Sequence, residues 1–436
     1  MELDGFERFD RPLPSWFKKA KFGIFIHWGA YSVPAWAEPK GELGVVPDDI
    51  WFAHNPYAEW YFNTIRIEGS PAAIRHKELY GNAPYHDFLD QWQTDKFDPR
   101  SWAELFKKAG AQYVIPTTKH HDGIALWDAP GTGTRNTVAR GPKRDLIADI
   151  SDAVREVGIK FGVYYSAGLD WSVSTLPPIT LKEHVKGIRP RDAAYAMYCH
   201  QHLVDLIDRY KPDILWNDIE YPDFGKHQGE YSLASVFDYF YSHVPDGLVN
   251  DRWCVSHSDY TTSEYQHRLE MESGEAWENC RGIGFSFGYN QVENESHYQS
   301  VESAIRHLVN IVSRGGNLLL NIGPTASGEI PEFQRVVLEG IGAWLSVNGS
   351  AIYGSEPYLN AASSETPWIR WTQNDNDVFA IIDHVGQISF EAPSVNEISA
   401  SVLGGEMLSV AREGTLISMN LRAPMTKGPI VVSFKK

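Results

Sequence analysis

The chain has 436 residues, 43% hydrophobic, 22% charged and 13% aromatic, with 15 Trp and 21 Tyr. This is the composition of a folded globular protein, long enough for an α/β barrel and a smaller second unit, and it excludes a disordered chain. A formal net charge of −17 repels phosphate backbones and anionic lipid, so neither nucleic acid nor a membrane surface is expected as a partner.

The three cysteines, Cys199, Cys254 and Cys280, have no CxxC spacing and read as buried small apolar residues. No apolar run approaches the roughly 18 residues of a membrane-spanning helix. The acidic, polar start MELDGFERFDRPLPSW lacks a signal pattern. The expectation is a cytoplasmic protein, or a secreted or periplasmic one whose signal peptide has been removed.

Residues 1–350 alternate short apolar runs with amphipathic segments, the pattern of repeated βα units. Lys21–Trp28 (KFGIFIHW) reads as the first buried strand. Asp98 caps a helix that Pro99 opens and Gly110 stops, followed by a strand at Gln112–His121 (QYVIPTTKHH). Arg144–Val157 is a helix with Gly158 as its stop, and Lys160–Ser166 (KFGVYYS) is the next strand. A long helix runs to about Tyr210, before the strand Asp213–Asp218 (DILWND). Gly247–Trp253 and Thr261–Tyr265 are shorter candidates. A helix near Ser303–Ser313, the strand Asn317–Ile322 and a helix Pro331–Leu345 complete the region. These candidates fall one short of eight, so the expectation is an α/β fold with an irregular (β/α)8-like barrel over residues 1–350.

From residue 351 to 436 helical periodicity gives way to short β-prone runs: Trp368–Gln373, Val378–Asp383, Gln387–Glu391, Ile398–Val402, Thr415–Asn420 and Ile430–Phe434. They predict a C-terminal antiparallel β-sandwich.

Functional side chains of such barrels sit at the C-terminal ends of the strands. Those ends read His27-Trp28, His120-His121-Asp122, Tyr164-Tyr165, Trp216-Asn217-Asp218, Asp251-Arg252-Trp253 and Glu264-Tyr265. Carboxylates, histidines and aromatic rings together suit a sugar, whose hydroxyls need polar partners and whose C–H faces pack on rings. Taken alone, Asp218 reads as a strand-end cap and Glu264 as a surface residue. Three histidines suggest a metal, but HxH and HExxH spacings are absent and adjacent strand residues point to opposite faces. If Gly162 faces the barrel interior, Tyr164 shares that face and Tyr165 points outward.

In order along the chain, the segments WFKKAKFGIFIHWGAYSVPAWAEPK, EWY, FDPRSWAELFKKAGAQYVIPTTKHHDG, GVYYSAGLDW, PDILWND, NDRW, SFGYN and GGNLLLNIGP closely resemble glycoside hydrolase family 29, the α-L-fucosidases. The resemblance spans Trp16 to Pro324. It implies a retaining exo-α-L-fucosidase that removes terminal α-L-fucosyl residues from glycoconjugates or oligosaccharides by double displacement. Asp218 in WND matches the family nucleophile. Glu264 in TSEY matches the acid/base, with Glu278 in WENC as the alternative. His27, Glu59, Trp60, His120, His121, Tyr164 and Arg252 are implied to line the fucose subsite. Trp216 and Phe287 are implied to form an apolar wall for the C5 methyl group. No metal and no organic cofactor is implied, the partner is a fucosylated glycan, and a homo-oligomer is left open. Two rivals stay open from the sequence: a non-catalytic fucose-binding barrel, and a metal-dependent barrel hydrolase using His120, His121 and Asp218.

Overall fold

The computed structural model describes residues 5–227, 229–265, 276–395 and 399–436. Eight parallel strands form its centre: β1 (Phe22–Ile26), β2 (Tyr113–Lys119), β3 (Lys160–Ser166), β4 (Ile214–Asp218), β5 (Leu248–Val249), β6 (Thr261–Glu264), β7 (Trp277–Gly282) and β8 (Asn317–Ile322). They hydrogen-bond in the order β5-β4-β3-β2-β1-β8-β7-β6. The curled sheet meets itself between β5 and β6 through one parallel bridge, Asn250 to Tyr260. Beside it the Asp259 amide donates to the Val249 carbonyl (3.0 Å), and the Val249 amide to Asp259 Oδ2 (2.8 Å). This seam is the irregular part of the barrel.

Three sequence-based expectations change here. First, the eighth strand is β7, which apolar-run counting passes over because it reads Trp-Glu-Asn-Cys-Arg-Gly. All six residues are nevertheless buried, and the polar ones are paired: Glu278 with Tyr113 and Trp216, Asn279 with Ser263 and His307, Arg281 with Glu42. Second, the strand expected over Gly247–Trp253 stops at Val249. The Asn250 side chain takes over the ladder, accepting from Asn217 N and donating to Asn217 O, and Asp251–Trp253 then form a 3-10 turn. Third, Cys199 and Cys280 are buried but Cys254, at the left-handed end of that turn (φ 56°), is exposed.

The main helices pack outside: α1 (Pro99–Ala109), α2 (Leu146–Glu156), α3 (Ala193–Tyr210), α4 (Leu233–His243), α5 (Val301–Val312) and α6 (Glu332–Asn348). Asp98 caps α1 by accepting from the amides of Arg100 and Ser101, and Gly110 ends it at φ 89°. α2 begins two residues later than the periodicity suggested, because Asp145 is its cap and accepts from Ala148 N. Among the described residues, no helix is long and apolar enough to cross a membrane.

After α6 the described residues form nine short strands: β9 (Glu356–Pro357), β10 (Ser364–Glu365), β11 (Trp368–Gln373), β12 (Asp377–Asp383), β13 (Gly386–Glu391), β14 (Ala400–Val402), β15 (Ala411–Glu413), β16 (Leu416–Leu421) and β17 (Ile430–Lys435). The strand expected from Ile398 therefore begins on a residue outside the described ones. One sheet runs β10-β11-β12-β17-β14 with β9 against β11, and the other β13-β16-β15. Alternation on β12 shows how the sandwich docks on the barrel. Val378, Ala380 and Ile382 face the sandwich core, while Phe379 and Ile381 join the core shared with α5 and α6. Burying such side chains is worth about 1.5–3 kcal/mol each, and Trp344 Nε1 adds a hydrogen bond to Pro429 O (2.9 Å).

Candidate active site

At the C-terminal mouth of the barrel lies a cavity of about 290 Å³, near the small end of ligand pockets and suited to one sugar ring. Larger hollows, of about 730 and 610 Å³, lie against the C-terminal sheets. The smaller cavity stands apart by its chemistry. All eleven residues expected from the sequence line it: His27, Glu59, Trp60, His120, His121, Tyr164, Trp216, Asp218, Arg252, Glu264 and Phe287. Successive strand ends deliver most of them. Glu59 and Trp60 come from the turn Ala58–Trp60 after β1, Arg252 from the 3-10 turn after β5, and Phe287 from the loop after β7.

The centre is a pair of carboxyl side chains bridged by one guanidinium. Arg252 donates through Nη1 to Asp218 Oδ1 (2.8 Å) and through Nη2 to Glu264 Oε2 (3.1 Å), while its Nε is held by Thr262 Oγ1 (3.1 Å). Its guanidinium also lies 4.5 Å from the ring centre of Trp216, so packing and charge fix it together. Asp218 further accepts from the Tyr164 hydroxyl (2.9 Å) and the Ile219 amide (3.0 Å). Burial pushes this carboxyl up, but the charge of Arg252 and the hydrogen bonds from Arg252 and Tyr164 outweigh burial. Its pKa falls below the ordinary 3.8, leaving an ionised carboxylate in a low-dielectric site. The second oxygen of Glu264 accepts from the Tyr57 hydroxyl (2.9 Å).

The histidines behave differently from the strand-alternation expectation. β2 ends at Lys119, so His120 and His121 lie beyond the pleat and both line the cavity, with ring centres 4.1 Å apart. The chain then turns at Gly123 (φ 76°). Burial drives the ring pKa values down, to about 3 for His27, about 4 for His121 and well below 6.5 for His120, so all three are neutral at pH 7. The Ser166 hydroxyl donates to Leu169 O (2.8 Å) and thus accepts from His121 Nδ1 (2.7 Å). His121 Nε2, 3.6 Å from Asp218, is therefore a lone pair ready for a hydroxyl donor. Among the described residues, no group of three or more His, Cys, Asp or Glu side chains is set to hold a metal ion.

Glu59 is buried, and desolvation raises its carboxyl to about 7 against the Gly288 amide (2.7 Å) and Ser286 hydroxyl (3.3 Å) that it accepts. The Trp216 and Phe287 wall contains a third ring. Phe25 sits 4.9 Å from Trp216 and 6.4 Å from Phe287, joining them. Phe25 and Tyr57 line the cavity but were not expected to. Phe25 stands on the same inward face of β1 as His27, a signal that was available. Tyr57 lies in irregular backbone, where no periodicity points to it. Tyr164 faces inward to Asp218, while Tyr165 points outward to His202 (3.0 Å).

The two acid/base candidates occupy different levels. Glu264 lines the cavity, whereas Glu278 is not among its lining residues. Glu278 sits one layer deeper in the barrel, accepting from Tyr113 (2.6 Å) and Trp216 Nε1 (2.9 Å). Burial raises its carboxyl to about 7, so the folded state holds a proton that the unfolded chain releases near pH 4.5. The associated stability is fully present below about pH 4.5 and disappears as pH rises through 7, a swing of about 3 kcal/mol. Glu278→Gln mimics the protonated form, donating to Tyr113 and accepting from Trp216. Thermal melts at pH 5 and pH 8 should show a smaller drop for this variant than for wild type; equal drops would mean Glu278 is ionised in the fold.

The family model "Alpha-L-fucosidase" matches residues 6–350. A curated α-L-fucosidase from Dictyostelium discoideum is 32% identical, covering 95% of this chain and 89% of that protein. The human tissue α-L-fucosidase is 35% identical over 88% and 79%. A crystal structure of Thermotoga maritima α-fucosidase in complex with fucose superposes with a TM-score of 0.87 at 44% identity, covering 97% of both chains. With a family model over most of its length and relatives above 30% identity over most of both chains, the chain belongs to the α-L-fucosidase family, glycoside hydrolase family 29.

Proposed function

We propose that the protein is a retaining exo-α-L-fucosidase with Asp218 as nucleophile and Glu264 as acid/base. The observation that carries this reading is the Arg252 bridge, which joins Glu264 to an ionised Asp218 within one sugar-sized cavity. Two carboxyl groups held by one guanidinium can flank a single glycosidic bond, and a retaining mechanism needs them about 5–5.5 Å apart.

In the first step an Asp218 oxygen attacks the anomeric carbon as the glycosidic bond breaks. Glu264 gives its proton to the departing oxygen, and a β-linked fucosyl-enzyme results. In the second step Glu264, now a carboxylate, takes a proton from water. The resulting oxygen attacks the same carbon, Asp218 leaves, and α-L-fucose is released with Glu264 reprotonated. His121 Nε2 beside Asp218 supplies an acceptor for a ring hydroxyl. The Phe25–Trp216–Phe287 wall supplies an apolar surface for the C5 methyl group.

Aryl α-L-fucoside assayed beside aryl α-L-galactoside and β-D-galactoside tests the reading. Fucoside should be favoured over its 6-hydroxy analogue by about 10–200-fold, the discrimination an apolar pocket offers for such a change. NMR of the first product should show the α-anomer. Initial release of the β-anomer would exclude double displacement; no turnover on any fucoside, or loss of turnover on dialysis against a chelator, would remove the hydrolase mechanism proposed.

A further inference from the structure

We propose that Asn321, buried beneath the cavity on β8, is a positioning residue that fixes one tautomer of His27 and anchors the loop carrying Phe287. The inference rests on the fucosidase reading of the cavity only for its kinetic consequence. Its chemistry stands on the hydrogen bonds. Asn321 is 1% exposed and does not line the cavity. It makes two short contacts: Nδ2 donates to Phe287 O (2.7 Å), and Oδ1 faces His27 Nδ1 (2.7 Å).

A carbonyl oxygen only accepts, so the amide atom against Phe287 must be the NH2 group. That fixes which way the Asn321 side chain is turned and leaves its oxygen against the imidazole. An amide oxygen also only accepts, so His27 Nδ1 must carry the hydrogen. His27 is neutral, because burial holds its pKa near 3, and its lone pair is therefore on Nε2. Nδ1 is engaged by Asn321, so Nε2 is the nitrogen offered to a ligand, and it accepts rather than donates. His27 and His121 thus present the same polarity, two lone pairs requiring hydroxyl donors.

The second contact couples this polar group to the apolar wall. The Phe287 loop is tied at Phe287 O by Asn321, at Gly288 N and Ser286 Oγ by Glu59 (2.7 and 3.3 Å), and at Phe285 N and Ser286 N by Glu293 (2.8 and 2.9 Å). Asn321 alone among these side chains also holds a second cavity residue, His27. One amide therefore sets the relative position of a hydroxyl acceptor and of the methyl-facing ring.

Nitrogen-15 NMR of the histidine side chains tests the tautomer directly, with the His27 signal identified as the one lost in His27→Gln. Wild type should show Nδ1–H with an unprotonated Nε2 at pH 7. Asn321→Leu should lose that fixed tautomer and reduce kcat/KM for an aryl fucoside by about 10–100-fold, the scale of a small misplacement of binding groups. Asn321→Asp keeps the acceptor for His27 but, once ionised, sets an oxygen against the Phe287 carbonyl. Its activity should fall as pH rises through a limb that wild type lacks, whereas a purely space-filling role adds no such limb. If Asn321→Leu does not fold, the wild-type spectrum and the Asn321→Asp profile decide. An Nε2–H tautomer in wild type, activity of Asn321→Leu within twofold of wild type, or no new limb in Asn321→Asp overturns the proposal. Failure of the fucosidase reading would appear separately, as an inert wild type whose His27 tautomer is still Nδ1–H.

Discussion

Asp218→Gly is expected to lose turnover of an aryl α-L-fucoside by about four orders of magnitude or more, the scale on which removal of a catalytic nucleophile acts, and to regain part of it in azide. Asp218 is held ionised by Arg252 at 2.8 Å and Tyr164 at 2.9 Å, in a site where burial alone would raise its pKa. Glycine leaves a gap on the face from which the carboxylate attacks, and a small anion fits there. Azide reaching the anomeric carbon from that side inverts it, so the rescued product should be β-L-fucosyl azide. Binding should survive, because the histidines, Glu59 and the aromatic wall are untouched; retained affinity for fucose by calorimetry checks this. Full activity in Asp218→Gly, or an α-configured azide, would end the assignment.

Much of the site could be read in the chain because it depends on local order. His27, Tyr164 and Asp218 follow or end apolar runs that could only be buried strands, and a barrel turns such positions toward one mouth. What could not be read depends on contacts between distant segments. β7 is invisible to hydropathy because its buried polar residues are satisfied by partners elsewhere in the chain: Glu278 by Tyr113, Asn279 by Ser263 and His307, and Arg281 by Glu42. His120 and His121 share the cavity because the strand stops at Lys119, a boundary too fine for pattern reading. The hydroxyl of Tyr57 meets Glu264 across 207 positions of sequence, and Asn321 meets His27 across 294. Closure of the barrel at Asn250 and Tyr260 likewise rests on a side chain, Asp259, that takes the place of a ladder bond to the Val249 amide.

The acid/base is the assignment that sequence resemblance leaves divided, and leaving-group dependence separates its two candidates. For Glu264→Ala, hydrolysis of a poor leaving group such as a sugar hydroxyl should fall by about 10²–10⁴-fold, the usual contribution of general acid catalysis. A nitrophenolate needs little protonation to depart, so its release should fall much less in the first step. The second step still needs a base to activate water, so fucosyl-enzyme should accumulate and a burst of nitrophenol should precede slow turnover. Azide should relieve that slow step without needing a base, giving α-L-fucosyl azide, the opposite anomer from the Asp218→Gly product. Arg252 Nη2 and the Tyr57 hydroxyl are the donors that Glu264 leaves behind (3.1 and 2.9 Å), so a melting curve is the control against collapse of the site. Glu278 lies below the cavity, bound to Tyr113 and Trp216, and its replacement should shift stability with pH without producing the burst. A burst and an α-azide from Glu278→Ala, with Glu264→Ala unaffected, would transfer the acid/base role to the deeper carboxylate.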